Sequence, residues 1–333
     1  SCDPSFRSRL IENVLEACST RREVHACIEG CRVFVGTVAT FSSKTDMFRL
    51  KTFDVAIVDE ATQILEPQLL GLLCARNVAG NNAIGKFILI GDHKQLPAVV
   101  LQSESQSEVC EECLQSIGLY NLKDSLFERL YRTVSANHSS PTTQRFYDML
   151  CRQGRMNVEV ARFPNHAFYG GLLEAVGLPH QQGELVLAPG LESDEFADVL
   201  VSRVAFLPSV PETPLQSAKI NHSEAQLTAR LAAAVYRQYE ASGSGFHSAL
   251  TLGVITPYRS QIALIKREIA ALGIRVLNDI LVDTVERFQG SERDVIIYSF
   301  CVNRTYQLKF LANLTEERGV WIDRKLNVAL TRA

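Results

Sequence analysis

Two short apolar segments, each ending in a cluster of polar residues, set the strongest limit on how this chain of 333 residues folds. The first, FDVAIVDEATQ, spans residues 53–63, and the second, KFILIGDHKQLPAVV, spans residues 86–100. Short runs rich in Val and Ile that stop abruptly are typical of strands buried on both faces, as in a parallel sheet covered by helices. In open parallel sheets, the chemistry lies just beyond the carboxyl ends of the strands. The pattern therefore predicts an α/β fold with functional residues at 59–60 and 92–95.

The acidic pair after the first apolar run suits two chemical tasks. Asp59 can hold a magnesium ion, directly or through water, because a hard cation prefers carboxylate oxygen. Glu60 can orient and deprotonate a water molecule that attacks a phosphate. A solvated strand end or a helix N-cap also places acidic residues at such a position, so the pair alone leaves these alternatives open.

Further segments of the sequence follow in an order that points to a family. They are QGRM (153–156), ITPYRSQ (255–261), VDTVERFQGSERDVII (282–297) and LNVALTRA (326–333). Together with DEATQ and GDHKQLPAVV, they resemble the ordered motifs of superfamily 1 helicases, specifically of the Upf-like branch. The resemblance spans nearly the whole chain.

This resemblance implies two RecA-like domains of the P-loop NTPase type, with mostly parallel sheets. Residues 1–150 are then a partial first domain, truncated at its N-terminus, that carries motifs II and III. Residues 151–333 are the second domain, with the QGRM motif and motifs IV, V and VI.

The resemblance also implies an activity. It is that of an ATP-dependent helicase or translocase core, which couples ATP hydrolysis to 5′-to-3′ movement on single-stranded DNA or RNA, with ATP and Mg²⁺ as cofactors. Glu60 takes the place of the general base and Asp59 that of the magnesium ligand. Gln95 matches the residue that senses the γ-phosphate. Arg155 and Arg332 match the arginines that the second domain directs at nucleotide held by the first.

The remaining matches concern the nucleoside and the nucleic acid. Tyr258 matches the aromatic residue beside the adenine, and Glu292 matches the acidic residue of motif V near the ribose and γ-phosphate. Gly290 lets the backbone approach closely. Thr37 and Thr284 are the candidate nucleic-acid contacts. For Thr37, a threonine chosen only for strand propensity is the open alternative.

Two features depart from the family pattern. Gly154 stands where family members usually have an aromatic residue, so Arg155 lacks a ring that would help to pack it. No G-x-x-x-x-G-K-[ST] segment, which would cradle phosphates, occurs in the sequence. Because the family places this loop upstream of residue 1, we expect a fragment of a longer helicase with little nucleotide affinity of its own. The alternative is an inactive helicase fold that binds nucleic acid or protein, although such a module has no physical need for the five candidate catalytic residues.

Composition limits the remaining possibilities. The formal net charge of −3 gives no sign of a polyanionic partner, but a narrow basic channel can lie on an acidic protein. The sequence has no apolar run long enough for a membrane helix, and its first residues lack the layout of a signal peptide. Nine scattered cysteines are typical of a reducing compartment. We expect an intracellular protein, cytoplasmic or nuclear and monomeric. The spacings CIEGC (27–31) and CEEC (110–113) leave a shared zinc site as an alternative that fits loosely.

Periodicity predicts individual elements between the motifs. The chain should form a strand over 32–38 that ends at Thr37, and another strand over 201–206. A helix capped by Ser223 should span 222–240, and strand, helix and strand should alternate from 251 to 302. Further helices are expected at 5–18, 64–76, 124–132 and after 321.

Overall fold

The computed structural model describes residues 4–136, 146–211, 217–317 and 319–333. Within these residues the chain is a mixed α/β protein with parallel sheets, and it divides into two compact units. Unit 1 comprises Ser1–His93 and Pro97–Tyr147, whereas unit 2 comprises Lys94–Leu96 and Asp148–Ala333. No helix of the described residues is both long and apolar enough to cross a membrane.

Unit 1 contains a two-stranded parallel sheet. Its strands are β1 (Phe53–Val58) and β2 (Ile84–Leu89), with Val58 opposite Leu89. Four helices precede β1: α1 (Ile11–Glu16), α2 (Arg21–Gly30), α3 (Val38–Ser43) and α4 (Met47–Leu50). The others are α5 (Glu66–Leu73), α6 (Glu104–Ser107), α7 (Glu112–Gln115) and α8 (Leu126–Ala136).

One face of the unit 1 sheet is buried and the other is largely exposed. Val58 joins a core with Leu69 of α5, and its paired neighbour Leu89 packs against that core. On the opposite face Ile57 is 65% exposed and its paired neighbour Ile88 is 43% exposed, although Ile84 at the start of β2 is buried. The prediction that both strands are buried on both faces is therefore wrong, because none of the described elements covers the carboxyl-end part of this second face.

The central sheet of unit 2 consists of three parallel strands in the order β6 (Leu281–Asp283), β5 (Leu252–Ile255), β7 (Val295–Tyr298). Every residue of β5 is buried, as expected for a middle strand covered on both faces. Gly253 is required there, because a Cβ atom would lie 2.5 Å from the Cε1 atom of the fully buried Phe288. The predicted parallel βα arrangement is confirmed in this unit.

Unit 2 also contains smaller strands and several helices. The smaller strands are β3 (Arg152–Gln153), parallel to β4 (Glu174–Ala175), and the antiparallel hairpin of β8 (Leu314–Glu317) and β9 (Val320–Asp323). The helices are α9 (Val158–Tyr169), α10 (Pro179–Gln182), α11 (Ala197–Leu200), α12 (His222–Ala241), α13 (Arg259–Ala271), α14 (Val285–Phe288), α15 (Leu308–Leu311) and α16 (Arg324–Leu330).

A small apolar cluster explains why residues 94–96, which lie in the segment KFILIGDHKQLPAVV, belong to unit 2. Leu96 is buried against Ile255, Phe288 and Val328. These partners come from the end of β5, from α14 and from α16. Leu96 thus fixes residues 94–96 on unit 2, although the residues before and after them belong to unit 1.

Several local predictions are confirmed and others are wrong. Helix α5 begins at Glu66 with Pro67 in its first turn, as predicted, because the missing proline N–H is not needed there. The strand predicted over 32–38 is absent: none of the described strands pairs with this segment, and Val35 is 94% exposed. Residues 201–206 likewise form turns and bends, with Phe206 83% exposed.

Two helix predictions also need correction. The helix expected over 5–18 is split into a 3₁₀ turn at Pro4–Arg9 and α1, which buries none of its residues, so no apolar face holds the two pieces in one helix. Helix α12 is confirmed, but its cap is Asn221 rather than Ser223, since the Asn221 side chain accepts a hydrogen bond from the backbone N–H of Glu224 at 2.9 Å.

Candidate functional site

The acidic pair of unit 1 lies in a tight turn directly after β1. Asp59 and Glu60 are both exposed, and Glu60 adopts a left-handed backbone conformation with a φ of 50°. The backbone N–H of Glu60 donates to Oδ1 of Asp59 at 3.0 Å, and Nε2 of Gln63 donates to Oε2 of Glu60 at 2.8 Å. A non-glycine residue in this conformation costs free energy and persists only where its surroundings impose it. The turn therefore presents both carboxylates to solvent in a defined arrangement.

The end of β2 is held against this turn. The carbonyl of Ile90 accepts a hydrogen bond from the backbone N–H of Ala61 at 2.8 Å. Gly91 follows, and a Cβ atom there would lie 3.0 Å from Cγ2 and 3.1 Å from the backbone nitrogen of Thr62. Glycine is thus needed for this close approach. The prediction that the polar ends of the two strands share one sheet edge is confirmed for residues 59–60 and Asp92.

In unit 2, Gln95 and Arg332 are in direct contact. Nη2 of Arg332 donates to Oε1 of Gln95 at 3.2 Å and to Oγ1 of Thr331 at 3.1 Å, while its Nε donates to the carbonyl of Val328 at 3.1 Å. Arg332 is only 3% exposed. Its guanidinium group is therefore held in one orientation at the end of α16, beside the glutamine that the sequence assigned to the same reaction.

Arg155 is held by a different set of bonds. Its Nε lies 2.6 Å from Oε2 of Glu292, and its Nη1 donates to the carbonyl of Thr331 at 3.4 Å. The backbone N–H of Arg155 donates to Oε1 of Gln153 at 3.0 Å. The structure thus brings together Arg155, Glu292 and the end of α16, all in unit 2.

Tyr258 and Gly290, two of the three positions assigned to nucleotide binding, also lie on unit 2. Tyr258 is half-buried and immediately precedes α13, beyond the end of β5. Gly290 has a φ of 76°, and no described atom comes within 4 Å of the place that its Cβ would occupy. The left-handed conformation of the turn favours glycine at this position, and the expectation that Gly290 lets the backbone approach ATP closely stays a prediction.

The hydroxyl groups of the two candidate nucleic-acid contacts serve local structure. Thr37 does not end a strand but caps α3, with its Oγ1 accepting from the backbone N–H of Thr40 at 3.2 Å. Thr284 precedes α14 and bonds to the Glu286 carboxylate. Partial burial opposes the ionisation of Glu286, but hydrogen bonds from Thr284 and the backbone, together with Lys325, leave its pKa below the ordinary value. Lys325 reaches this carboxylate at 3.2 Å.

Sequence reasoning missed the residues that hold Gln95 in place. Nζ of Lys94 donates to the carbonyl of Phe168 at 2.7 Å and lies 3.3 Å from Oε2 of Glu317. Nδ2 of Asn327 donates to the carbonyl of Lys94 at 2.9 Å. Lys94 lies in the segment GDHKQLPAVV and Asn327 lies in LNVALTRA, and both segments were already identified from the sequence. Their positions in these segments, next to Gln95 and shortly before Arg332, were the signal that could have identified them.

The described side chains offer few ligands for a magnesium ion. Among the residues that the structure describes, no three His, Cys, Asp or Glu side chains are grouped so that they could hold a metal ion. The zinc alternative at 27–31 and 110–113 therefore gains no support. Magnesium is commonly bound through one or two carboxylates, waters and substrate phosphates, and the exposed Asp59 offers one such carboxylate.

Comparison with known proteins supplies the family. Two family models, each described as an AAA domain, match residues 8–103 and 122–333. The chain is 27% identical over 291 residues to the DNA polymerase alpha-associated DNA helicase A of Saccharomyces cerevisiae, covering 84% of this chain and 37% of that protein. It is 31% identical over 301 residues to the DNA replication ATP-dependent helicase/nuclease DNA2 of Xenopus laevis, covering 86% and 24%. An uncharacterised ATP-dependent helicase of Methanocaldococcus jannaschii is 28% identical over 330 residues, covering 98% and 41%.

These matches place the molecule in a class of AAA-domain proteins whose relatives are helicases. The chain belongs to the Upf-like branch of the superfamily 1 helicases, as its ordered motifs predicted. It spans between 24% and 41% of the length of the three relatives described above.

Proposed function

We propose that this chain is part of an ATP-dependent helicase or translocase motor that couples ATP hydrolysis to movement along single-stranded DNA or RNA. The proposal rests on family membership together with one observation, the contact between Gln95 and Arg332 at 3.2 Å. A buried arginine whose guanidinium group is already oriented stabilises developing negative charge at little reorganisation cost. Phosphoryl transfer requires such cationic groups around the γ-phosphate oxygens.

The second arginine supports the same reaction. Arg155 bonds to the peptide carbonyl of Thr331, the residue before Arg332, so both guanidinium groups converge on the end of α16. The carboxylate of Glu292 neutralises Arg155 in this structure. In the proposed reaction, phosphate oxygens compete with Glu292 for this guanidinium group.

The acidic turn of unit 1 supplies the complementary groups. Glu60 acts as the general base that orients and deprotonates the attacking water. Gln63, whose amide donates to Glu60, holds that carboxylate in place. Asp59 holds Mg²⁺, which when bound lowers the charge of the phosphate oxygens.

The finer features of the function are proposals on the same basis. They are two RecA-like domains at 1–150 and 151–333, 5′-to-3′ movement, and a monomeric protein in the cytoplasm or nucleus. Tyr258 is assigned to the adenine, Gly290 and Glu292 to the ribose and phosphates, and Thr37 and Thr284 to the nucleic acid.

Replacement of Glu60 by Gln tests the proposed function in the whole gene product that carries this chain. The amide cannot accept the proton of water, so turnover should fall by at least ~10² while ATP binding is kept. ATPase rate and nucleotide affinity are measured with saturating single-stranded DNA or RNA.

Glu111→Gln is the control, because Glu111 is exposed and lies outside the candidate site, and it should leave turnover unchanged. Normal turnover of Glu60→Gln would remove Glu60 from the mechanism. Absence of hydrolysis by the unaltered protein, with nucleic-acid binding kept, would instead favour an inactive binding module.

A further inference from the structure

The three residues around Gln95 are attached to unit 2 by more than the apolar contact of Leu96. The carbonyl of Lys94 accepts from Nδ2 of Asn327 at 2.9 Å, and the carbonyl of Leu96 accepts from Nε2 of Gln289 at 3.4 Å. Each carbonyl that flanks Gln95 is therefore bonded by an amide side chain. Backbone carbonyls in loops usually bond to water or to nearby backbone, so two amide side chains that bond to the carbonyls on either side of Gln95 restrain this segment strongly.

Asn327 makes the shorter of the two bonds. It is fully buried in α16, and its Nδ2 also donates to the Tyr169 hydroxyl at 2.9 Å. Its Oδ1 has no hydrogen-bond partner among the described residues. Both donor hydrogens are thus used, and a flipped amide would place an oxygen against the carbonyl of Lys94. The hydrogen bonds therefore fix the orientation of this amide.

The same helix reaches Gln95 a second time. Asn327 lies within α16, and Arg332 lies two residues beyond its C-terminal end. These two residues bond to the consecutive residues Lys94 and Gln95. A displacement of α16 by a fraction of an ångström therefore moves both contacts together. Loss of the Asn327–Lys94 bond leaves the Arg332–Gln95 bond less well positioned.

We propose that Asn327 is a positioning residue, which through its bond to the Lys94 carbonyl holds the Gln95 side chain at the guanidinium group of Arg332. This inference rests on the proposed function for its catalytic consequence. The described hydrogen bonds of the Asn327 side chain go to Lys94 and Tyr169, and neither residue is assigned to ATP. Its effect on turnover passes through Gln95.

The positional part of the proposal is tested without ATP. The side-chain Nε–H signal of Arg332 is followed by ¹H–¹⁵N NMR in the 333-residue chain and in Asn327→Asp and Asn327→Ala variants. Asp preserves the shape of Asn but cannot donate, whereas Ala removes the group without adding charge. Both variants should shift the Arg332 signal. In a chain that already carries Gln95→Ala, the same substitutions should shift the Arg332 signal by less than about half of this amount, because the effects of substitutions at coupled residues are not additive.

Asn303→Asp is the matched control. Asn303 is also a buried asparagine of unit 2, and its Nδ2 donates to the carbonyl of Ile220 at 2.8 Å. Replacement of Asn303 by Asp removes a comparable amide-to-carbonyl hydrogen bond, and none of the described hydrogen bonds of Asn303 involves residues 94–96. The Arg332 signal should stay in place. A shift as large as that of Asn327→Asp would show that any buried defect disturbs Arg332, and would overturn the proposal.

The catalytic part is tested in the whole gene product. Asn327→Asp should lower kcat about 10- to 100-fold, the scale for a misplaced catalytic group, while KM for ATP changes less than about threefold. In the Gln95→Ala background the same substitution should cost less than about threefold. If thermal melting shows that Asn327→Asp does not fold, Gln289→Leu takes its place. It removes the weaker bond to the Leu96 carbonyl at a half-buried position and should show a smaller loss with the same dependence on Gln95.

The two tests separate the inference from the proposed function. Additive losses of kcat, or an Arg332 signal that Asn327→Ala leaves unchanged, would overturn the role of Asn327. A whole gene product that does not hydrolyse ATP, together with the expected NMR coupling, would instead overturn the proposed function and leave the positioning of Gln95 by Asn327 established.

Discussion

At the scale of single residues, the two candidate arginines differ in how firmly they are held. Arg332 is buried and bonded to Val328, Thr331 and Gln95, whereas the Arg155 side chain is 41% exposed and shares an ion pair with Glu292. An exposed ion pair contributes little stability because water screens it. Arg332 is therefore the better oriented of the two, and its removal should have the larger catalytic consequence.

Arg332→Ala and Arg332→Lys in the whole gene product should lower kcat more than they raise KM for ATP. A group aimed at developing charge stabilises the transition state selectively, and each loss is expected to exceed about tenfold. Lysine should rescue poorly, because its ammonium group cannot reproduce the planar, forked donor geometry with which Arg332 reaches Val328, Thr331 and Gln95. Arg155→Ala should show a smaller loss.

Steady-state ATPase with saturating single-stranded nucleic acid measures this difference. Arg230→Ala serves as the control, because Arg230 is exposed and pairs only with the equally exposed Glu195 among the described ion pairs. An unchanged kcat with a raised KM for Arg332→Ala would make Arg332 a simple binding residue.

Asp294 gives a pH-dependent prediction at the same scale. Its partial burial, with a smaller contribution from the charge of Glu292, raises the pKa of its carboxyl above the ordinary value, and the hydrogen bond from Tyr239 only partly offsets this. An acid whose pKa is raised in the folded state opposes folding at pH values above that pKa. The penalty disappears as pH falls below the unfolded value of 3.8.

Asp294→Asn should therefore raise the melting temperature at pH 7, and the gain should shrink as the pH falls toward 4. The gain stays below about 1 kcal/mol, because the side chain is partly exposed and water screens its charge. Asn keeps an oxygen that accepts from Tyr239. Thermal melts of the 333-residue chain from pH 4 to 8 measure the effect, with the exposed Asp279→Asn as control. A rise in melting temperature that does not depend on pH would mean that the stabilisation comes from packing and not from the charge of Asp294.

At the scale of elements, the sequence predicted correctly those strands and helices whose formation depends on the local residue pattern. The strands β1, β2, β5 and β7 were found because apolar runs bounded by polar residues are their direct signature. The strand expected over 32–38 had the same composition, but none of the described strands pairs with it. The residues of a segment alone do not show whether a partner strand lies beside it. Likewise, no local pattern shows that Leu96 packs on α14 and α16.

The candidate site also shows this difference between features with a local sequence signal and contacts between distant residues. Chemistry-bearing residues were identified by type and motif, and the contact of Gln95 with Arg332 agrees with their assignment to one reaction. The bonds from Asn327 and Gln289 to the carbonyls of Lys94 and Leu96 could not be predicted, because they join residues that are 233 and 193 positions apart in the sequence.

A buried ion pair joins two helices of unit 1 and carries the next prediction. Nε and Nη2 of Arg129 on α8 each lie 2.7 Å from a carboxylate oxygen of Glu66 on α5, and both side chains are about nine-tenths buried. Nη1 of Arg129 donates to the carbonyl of Ile117 at 2.8 Å. Arg129→Met leaves the buried carboxylate unpaired and should destabilise unit 1 by about 3–5 kcal/mol.

Arg132→Met on the same helix is the matched control. Arg132 pairs with Asp124 but its side chain is 53% exposed, so its loss should cost less than about 1 kcal/mol. Urea unfolding of the 333-residue chain, followed by circular dichroism, compares the two variants. Equal and small losses would mean that the Glu66–Arg129 pair contributes no more than a surface contact.

At the scale of the whole molecule, each unit carries its own part of the proposed reaction. Asp59 and Glu60 belong to unit 1, while Gln95, Arg155 and Arg332 belong to unit 2. The domain limits proposed from the sequence place Gln95 in the first domain, whereas the structure groups residues 94–96 with unit 2. The short segment that carries the proposed γ-phosphate sensor is thus the place where the chain passes from one unit to the other and back.

The last prediction concerns nucleotide binding by these 333 residues alone. The roles that we propose for the residues above concern the γ-phosphate end and the nucleoside of ATP. No G-x-x-x-x-G-K-[ST] segment occurs in this sequence to supply backbone N–H groups and a lysine for the other phosphates. The isolated chain should therefore bind ATP weakly and hydrolyse it at the background rate, with or without single-stranded nucleic acid. Isothermal titration with ATP and Mg²⁺, and ATPase assays beside the whole gene product, measure both properties. Robust ATPase of the isolated chain, stimulated by a single strand and abolished by Glu60→Gln, would show that other groups within these residues hold the phosphates.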